Sequence, residues 1–334
     1  MSVFKKTQLS VLDLVPIHQG QQPIQAIESM VQLLKATEKL GYQRYWISEH
    51  HNMPTTVSSA TVILMKHALE HSETIRVGAG GIMLPNHSPL VVAEQFGTLA
   101  TLYPNRVDLG LGRAPGTDQL TAQALRRSRN DAVHSFPNDV KDLLAYFGPE
   151  EQQSFVKAFP GTGTNVPIYI LGSSISSAIL AAELGLPYSF AGHFAPALMG
   201  EAIALYRARF KPSPYLQKQY VMIGLNIIAA DTEKEVEEEY SVMFEQYIKT
   251  LGNNPLSPSA ESLAYLSPAE QKRYASQMGL MLSGDPKAIT AQLFDLQKTY
   301  EADELIVGSY MYNLEKKIRA YEILKEAFAS ISMN

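Results

Sequence analysis

Short runs rich in valine, isoleucine and leucine recur along this chain, and each is followed by a longer stretch in which apolar residues fall three and four positions apart. The runs are Leu9–Ile17, Arg44–His50, Ile75–Leu84, Arg106–Gly112, Val166–Gly172, Tyr188–His193, Tyr220–Ala230 and Asp303–Met311. Continuous apolar runs of this length are the mark of strands buried on both faces. The intervening stretches, among them Ala26–Leu40, Ala60–Glu70, Leu90–Tyr103, Ser177–Leu184 and Ala197–Phe210, have the spacing of helices packed on one side of a sheet. Eight strand-then-helix units predict an α/β fold, a closed (β/α)8 TIM barrel. An open doubly wound sheet is the alternative, because periodicity does not count closure. Glycine ends the helices at Gly41 and Gly185, where the left-handed conformation costs it little.

A barrel of this kind accounts for the whole of residues 1–334 as one domain. Two stretches break the rhythm, Ala114–Asn165 and Leu251–Leu282. Both read as insertions at the C-terminal strand face, with Ala114–Asn130 and Leu251–Gly279 as lid loops. Lysine and arginine number 28 against 33 aspartates and glutamates, a net charge of −5 without a basic stripe, so nucleic acid is not an expected partner. The N-terminus lacks a secretory apolar core and no run is long enough to span a membrane, so a cytoplasmic protein without a membrane partner is expected. Cysteine is absent, which removes disulfides, thiolate metal sites and a cysteine nucleophile together.

Active sites of parallel barrels lie where the strands end, so the polar residues closing each strand carry the chemistry. The second strand finishes on Glu49, His50 and His51. Alternation along a strand sends neighbouring side chains to opposite faces, so one histidine should face the site. The pair should not ligate one metal ion, and no metal site is expected. The bland alternative is a pair of hydrogen-bonded structural histidines. Glycines crowd the third strand from Gly78 to Gly81, as where a flat ligand or another backbone approaches closely. The fourth ends on Gly110, Gly112 and Arg113, whose planar fork suits a phosphate and equally a surface ion pair. A dinucleotide fingerprint is not met, since Pro115 stands where its third glycine is required. Ser173, Ser174 and Ser177 follow the fifth strand at the start of a helix, a place for an anion or for simple capping. Together these features describe a site for a flat molecule carrying a phosphate, which FMN fits. His193 and Asp13, at two further strand ends, are read first as structural.

In these residues the sequence resembles the bacterial luciferase-like monooxygenases, above all the alkanal monooxygenase-related branch. The likeness is densest over Glu49–Asn52, Arg76–Pro89, Val92–Gly97 and Gly110–Asp118. It continues through Gly172–Ser174 and Leu282–Asp285 to Asp303–Val307. The resemblance implies a flavin-dependent monooxygenase in which reduced FMN, as co-substrate, activates dioxygen as a flavin hydroperoxide that oxygenates a small organic substrate. It implies His50 as the acid/base residue beside the flavin, Gly80 and Gly81 at a non-proline cis peptide against the ring, and Arg113, Ser173, Ser174 and Ser177 around the phosphate. A separate flavin reductase would supply the reduced FMN, and a homodimer is the expected assembly. Luciferase itself has a cysteine where this chain has Gly112 and a glutamate where it has Ser173, so light emission is not implied. A 5-deazaflavin-dependent hydride-transfer enzyme, a non-catalytic flavin-binding barrel and a metal-dependent hydrolase are the competing readings of such a barrel.

Overall fold

The computed structural model describes residues 7–18, 20–114, 116–125, 132–251 and 279–333. Eight parallel strands close into a barrel: β1 (Gln8–Asp13), β2 (Arg44–Ile47), β3 (Arg76–Met83), β4 (Val107–Gly112), β5 (Ile168–Gly172), β6 (Tyr188–Phe190), β7 (Val221–Ala229) and β9 (Glu304–Gly308). β6 pairs with β7, β7 with β9, and β9 returns to β1, so the ring has no free edge. The doubly wound alternative is thereby excluded. All eight expected strands are present, trimmed at their ends. A ninth, β8 (Met281–Gly284), lies outside the ring and pairs with the C-terminal half of β7, Asn226 with Met281 through Ala229 with Gly284.

Helices α1 (Pro23–Lys39), α2 (Thr61–Glu70), α3 (Pro89–Leu102), α6 (Ile175–Leu184) and α7 (Met199–Arg209) occupy the expected stretches. Within the Ala114–Asn165 insertion the chain forms α4 (Gln119–Leu125) and α5 (Ala132–Phe147). Phe136, Val140, Leu143 and Phe147 of α5 are all buried, so this helix belongs to the outer layer of the barrel rather than to a lid. Their spacing of four, three and four is helical, a signal already present in the sequence. Three further helices, α8 (Glu233–Leu251), α9 (Pro286–Tyr300) and α10 (Leu314–Met333), complete the layer. Most of the second expected lid, Leu251–Gly279, falls outside the described residues, as do 115 and 126–130 of the first, Ala114–Asn130.

Gly185 at the end of α6 has φ +62°, and a Cβ there would stand 2.4 Å from the Lys211 carbonyl oxygen. Both the backbone and the space therefore require glycine at this junction.

Alternation along the strands sorts the side chains into two cores. Odd-numbered β1 residues, Leu9, Val11 and Asp13, point outward to the helices, while Ser10 and Leu12 point into the barrel. The interior is filled in layers. Its floor, at the strand N-termini, is polar: Arg44 donates to Glu304 Oε1 at 2.9 Å and to Asp108 Oδ2 at 2.8 Å, and Arg76 binds the other oxygen of Asp108. Tyr220 donates to Glu304 at 2.6 Å, Ser10 donates to the same carboxylate, and the Arg44 guanidinium lies 5.1 Å from the Tyr169 ring centre. Asp108 and Glu304 are fully buried, and the arginines and hydroxyls supply the partners that their oxygens need there. Above this floor sit Leu12, Trp46, Tyr169, Met222 and Ile306, with the Tyr169 ring edge-on to Trp46 at 5.0 Å. The barrel is thus plugged from below, and only its C-terminal mouth can admit a ligand.

Candidate active site at the barrel mouth

Trp46 explains most of the glycines. A Cβ on Gly78 would stand 2.6 Å from its indole nitrogen, one on Gly80 3.1 Å from its Cβ, and one on Gly110 only 2.3 Å from the Ala79 carbonyl oxygen. The space these glycines leave is occupied by the indole and by close approach of β3 to β4. The flat-ligand reading of the whole run is therefore narrowed to its C-terminal end. There the Gly80–Gly81 peptide bond is cis, and the β3–β4 register shifts between Ala79 and Ile82.

β2 ends at Ile47, so Glu49, His50 and His51 lie beyond the strand, and alternation alone does not set their directions. Glu49 is fully buried and acts as a hub. Its Oε1 accepts from His51 Nε2 at 2.9 Å and from His87 Nε2 at 2.8 Å, and its Oε2 accepts from the Met83 main-chain N–H at 3.3 Å. Burial pushes the Glu49 carboxyl up, but the hydrogen bonds from His51 and His87 outweigh it and hold the group at about 2. His87, on the loop after β3, has no role in the sequence reading. Its position in a polar run after a glycine-rich strand is the only signal that marks it. His51 is thus bound to the site's framework rather than turned away from it.

His50 is half-buried, and its Nδ1 is shielded from solvent without a hydrogen-bond partner. The Gly116 main chain lies beside the ring. Burial lowers the pKa of His50, opposed by the Gly116 hydrogen bond and the nearby Glu49 carboxylate. His193, just after β6, lies close enough to His50 for the two rings to interact electrostatically. Its Nδ1 is also buried and unpartnered. Burial, reinforced by His50, lowers the His193 imidazole to about 4. Both rings are therefore neutral at pH 7. Asp13, by contrast, faces outward under α1, accepting from the Val15 N–H at 2.9 Å and from the Tyr45 hydroxyl, which is a structural role.

Arg113 immediately follows β4 and is exposed, with no hydrogen bond or ion pair among the described residues. The ion-pair alternative thus has no partner there. The adjoining pair in the register is Gly112 with Leu171, so Arg113 and the Gly172–Ser174 turn leave neighbouring strands at the same height. Ser174 caps α6, accepting from the Ser177 N–H at 3.3 Å, and the Ser177 hydroxyl is committed to the Ser174 carbonyl at 2.7 Å and to the Tyr188 hydroxyl at 3.2 Å. Simple capping is realised, and Ser177 orders the turn from beneath. Ser173 and the first N–H groups of α6 are left as the donors beside Arg113. A guanidinium and a helix N-terminus leaving neighbouring strands at the same height suit a phosphate, and two unpartnered imidazole nitrogens suit a polar, heteroatom-rich ligand.

Comparison with known proteins agrees with this arrangement. Residues 7–301 match the family model of luciferase-like monooxygenases. The chain is 49% identical to the uncharacterised protein YddN of Bacillus subtilis, over 96% of both chains. It is 41% identical, again over 96% of both, to a luciferase-like monooxygenase of Escherichia coli. The crystal structure of apo-MsnO8 superimposes with a TM-score of 0.88 at 29% identity, covering 97% of this chain and 98% of that one. More distant barrels share the fold alone. They include the oxygenating constituent of 3,6-diketocamphane monooxygenase in complex with FMN (TM-score 0.73, 16% identity) and an F420-dependent secondary alcohol dehydrogenase (0.69, 15%). The chain belongs to the luciferase-like monooxygenase family.

Proposed function

We propose that this protein is a flavin-dependent monooxygenase that takes reduced FMN as co-substrate from a separate flavin reductase and oxygenates a small organic molecule with dioxygen. The observation that carries the reading is Arg113: an exposed guanidinium without a partner among the described residues, level with the α6 N-terminus, on the mouth of a barrel whose family is one of monooxygenases. An FMN complex among the barrels of the same fold supports the choice of cofactor. In this reading Arg113, Ser173 and the α6 N–H groups hold the terminal phosphate, Ser174 caps the helix and Ser177 orders that turn, and Gly80 and Gly81 run beneath the ring. Reduced FMN, when bound, supplies the electrons for oxygen activation.

His50 then acts as the acid/base residue. Burial lowers its pKa, which favours the neutral ring at pH 7, and its Nδ1 has no protein partner, so this nitrogen is the one that takes up or releases the proton. Glu49, gripped by His51, His87 and the Met83 N–H, holds the loop that carries His50. A cytoplasmic homodimer completes the proposal. The test is an anaerobic titration with reduced FMN, reduced FAD and the reduced 5-deazaflavin cofactor. Reduced FMN should bind at least tenfold more tightly than FAD, because Arg113 and the serine turn suit a terminal phosphate. Tighter binding of the deazaflavin would instead support hydride transfer.

A further inference from the structure

His193 is more constrained than a residue on a loop needs to be. The main chain around it is pinned from two sides: the Leu280 N–H donates to the Gly192 carbonyl at 2.7 Å, and the Asn226 side chain on β7 donates to the His193 carbonyl at 2.9 Å. Its ring lies across β7 at Gly224, where a Cβ would come within 2.5 Å of His193 Nδ1. Gly224 does not have a positive φ, so its backbone would accept any residue. What bars a side chain from this position is the imidazole itself. The fold thus keeps a notch in a central strand to seat this ring at the mouth, and then leaves its buried Nδ1 without a partner. A buried polar atom without a partner is costly unless a ligand or water completes it. The same holds for His50 Nδ1 on the facing side.

We propose that His193 contacts the substrate, and that the His50–His193 pair receives an uncharged end of it bearing a hydroxyl or a similar group able both to donate and to accept. Each ring presents an Nδ1 without a protein partner, which accepts or donates according to its tautomer, and a hydroxyl can donate to one while accepting from the other. The groups facing the pair explain the preference for a neutral end. His50 faces Glu49 and His51, and the charge of Glu49 is already shared between His51 and His87. Among the described residues His193 faces His50, with the Asn226 amide behind it on β7. An anion would require one of the buried imidazoles to become charged, and a cation would find no free carboxylate facing the pair among the described residues.

This inference deepens the monooxygenase reading and rests on it for what happens after binding, while its test reads binding directly. Protein labelled with 15N-histidine is titrated anaerobically with pentan-1-ol, pentanoate and pentylammonium, in the absence and presence of reduced FMN, for the wild type, His193→Phe and His193→Asn. The alcohol should shift the ring nitrogens of both His50 and His193 and bind about tenfold more tightly than either charged analogue. His193→Phe should weaken it about tenfold, the worth of one buried hydrogen bond, with FMN affinity changed by less than about threefold. His193→Asn, which keeps a polar group, should recover part of the loss. Alcohol affinity should be level above about pH 7 and fall in acid as the two rings take up protons. Tighter binding of pentanoate, no shift at His193, no alcohol binding, or an unchanged affinity in His193→Phe would overturn the inference. If the alcohol pattern appears but FMN does not bind, the cofactor reading fails and this one stands. If FMN binds and the pattern is missing, the reverse holds.

Discussion

Arg113 and His50 divide the work of the site between holding and reacting, and single substitutions separate the two. A charge-assisted hydrogen bond to phosphate contributes roughly 1.5–3 kcal/mol, so Arg113→Ala should weaken FMN binding by about one to two orders of magnitude in a folded protein. An unchanged dissociation constant, measured by anaerobic titration, would show that the arginine serves another purpose. His50→Ala should leave FMN affinity within severalfold and lower oxygenation of an identified substrate by roughly 10²–10⁴-fold, the usual worth of an acid/base group. His51→Ala is not a silent control, because it removes one of the hydrogen bonds that hold Glu49. Its expected effect is a smaller loss of turnover with the same direction as Glu49→Gln. At this scale the sequence marks His50, Arg113 and the serine turn, because residue type and place at a strand end suffice to single them out. It does not rank His193 above a structural role, since the notch at Gly224 that seats its ring arises only when β6 and β7 pair.

The strand elements show where periodicity informs and where it misleads. Apolar runs predict all eight barrel strands, because burial on both faces leaves no other composition open to them. The glycines of β3 and β4 suggest open space, and the structure fills most of it with Trp46 and with the neighbouring strand. Packing of this kind depends on which residues face one another across a sheet, which no single run of sequence records. β8 escaped notice for a related reason: four residues following a polar stretch carry too little pattern to be distinguished from loop. The polar floor gives these elements a test of their own. Arg44 joins β2 to β4 and β9 through buried carboxylates, and removing one member of a buried ion pair strands the other. Arg44→Met should therefore destabilise the fold by about 3–5 kcal/mol in urea denaturation, while a surface change such as Lys66→Met on α2 should cost under about 1 kcal/mol. Comparable losses in the two variants would mean that the network is not a pillar of the barrel.

For the molecule as a whole, the buried neutral histidines set its response to acid. His193 titrates at about 4 in the folded protein because of burial and the nearby His50, against about 6.5 for an unfolded histidine. The stability this represents is fully present above pH 6.5 and is lost as the pH falls toward 4, by up to roughly 3 kcal/mol. His18, lowered to about 4 by burial and by Lys317, works in the same direction. Glu49, held at about 2, adds its loss only below about pH 4. Urea midpoints at pH 7.5 and 5 should therefore differ in the wild type and differ less in His193→Asn. Equal pH dependence in the two would contradict burial of His193 as a neutral ring. The central claim, that this mouth binds reduced FMN and turns it toward dioxygen, is tested most directly by stopped flow. Protein loaded anaerobically with reduced FMN is mixed with air-saturated buffer, and the return of oxidised-flavin absorbance is followed. The account predicts a distinct delay before that return, shortened in His50→Ala and absent for free reduced FMN. Reoxidation with the kinetics of free flavin, in a protein shown to hold reduced FMN, would contradict it.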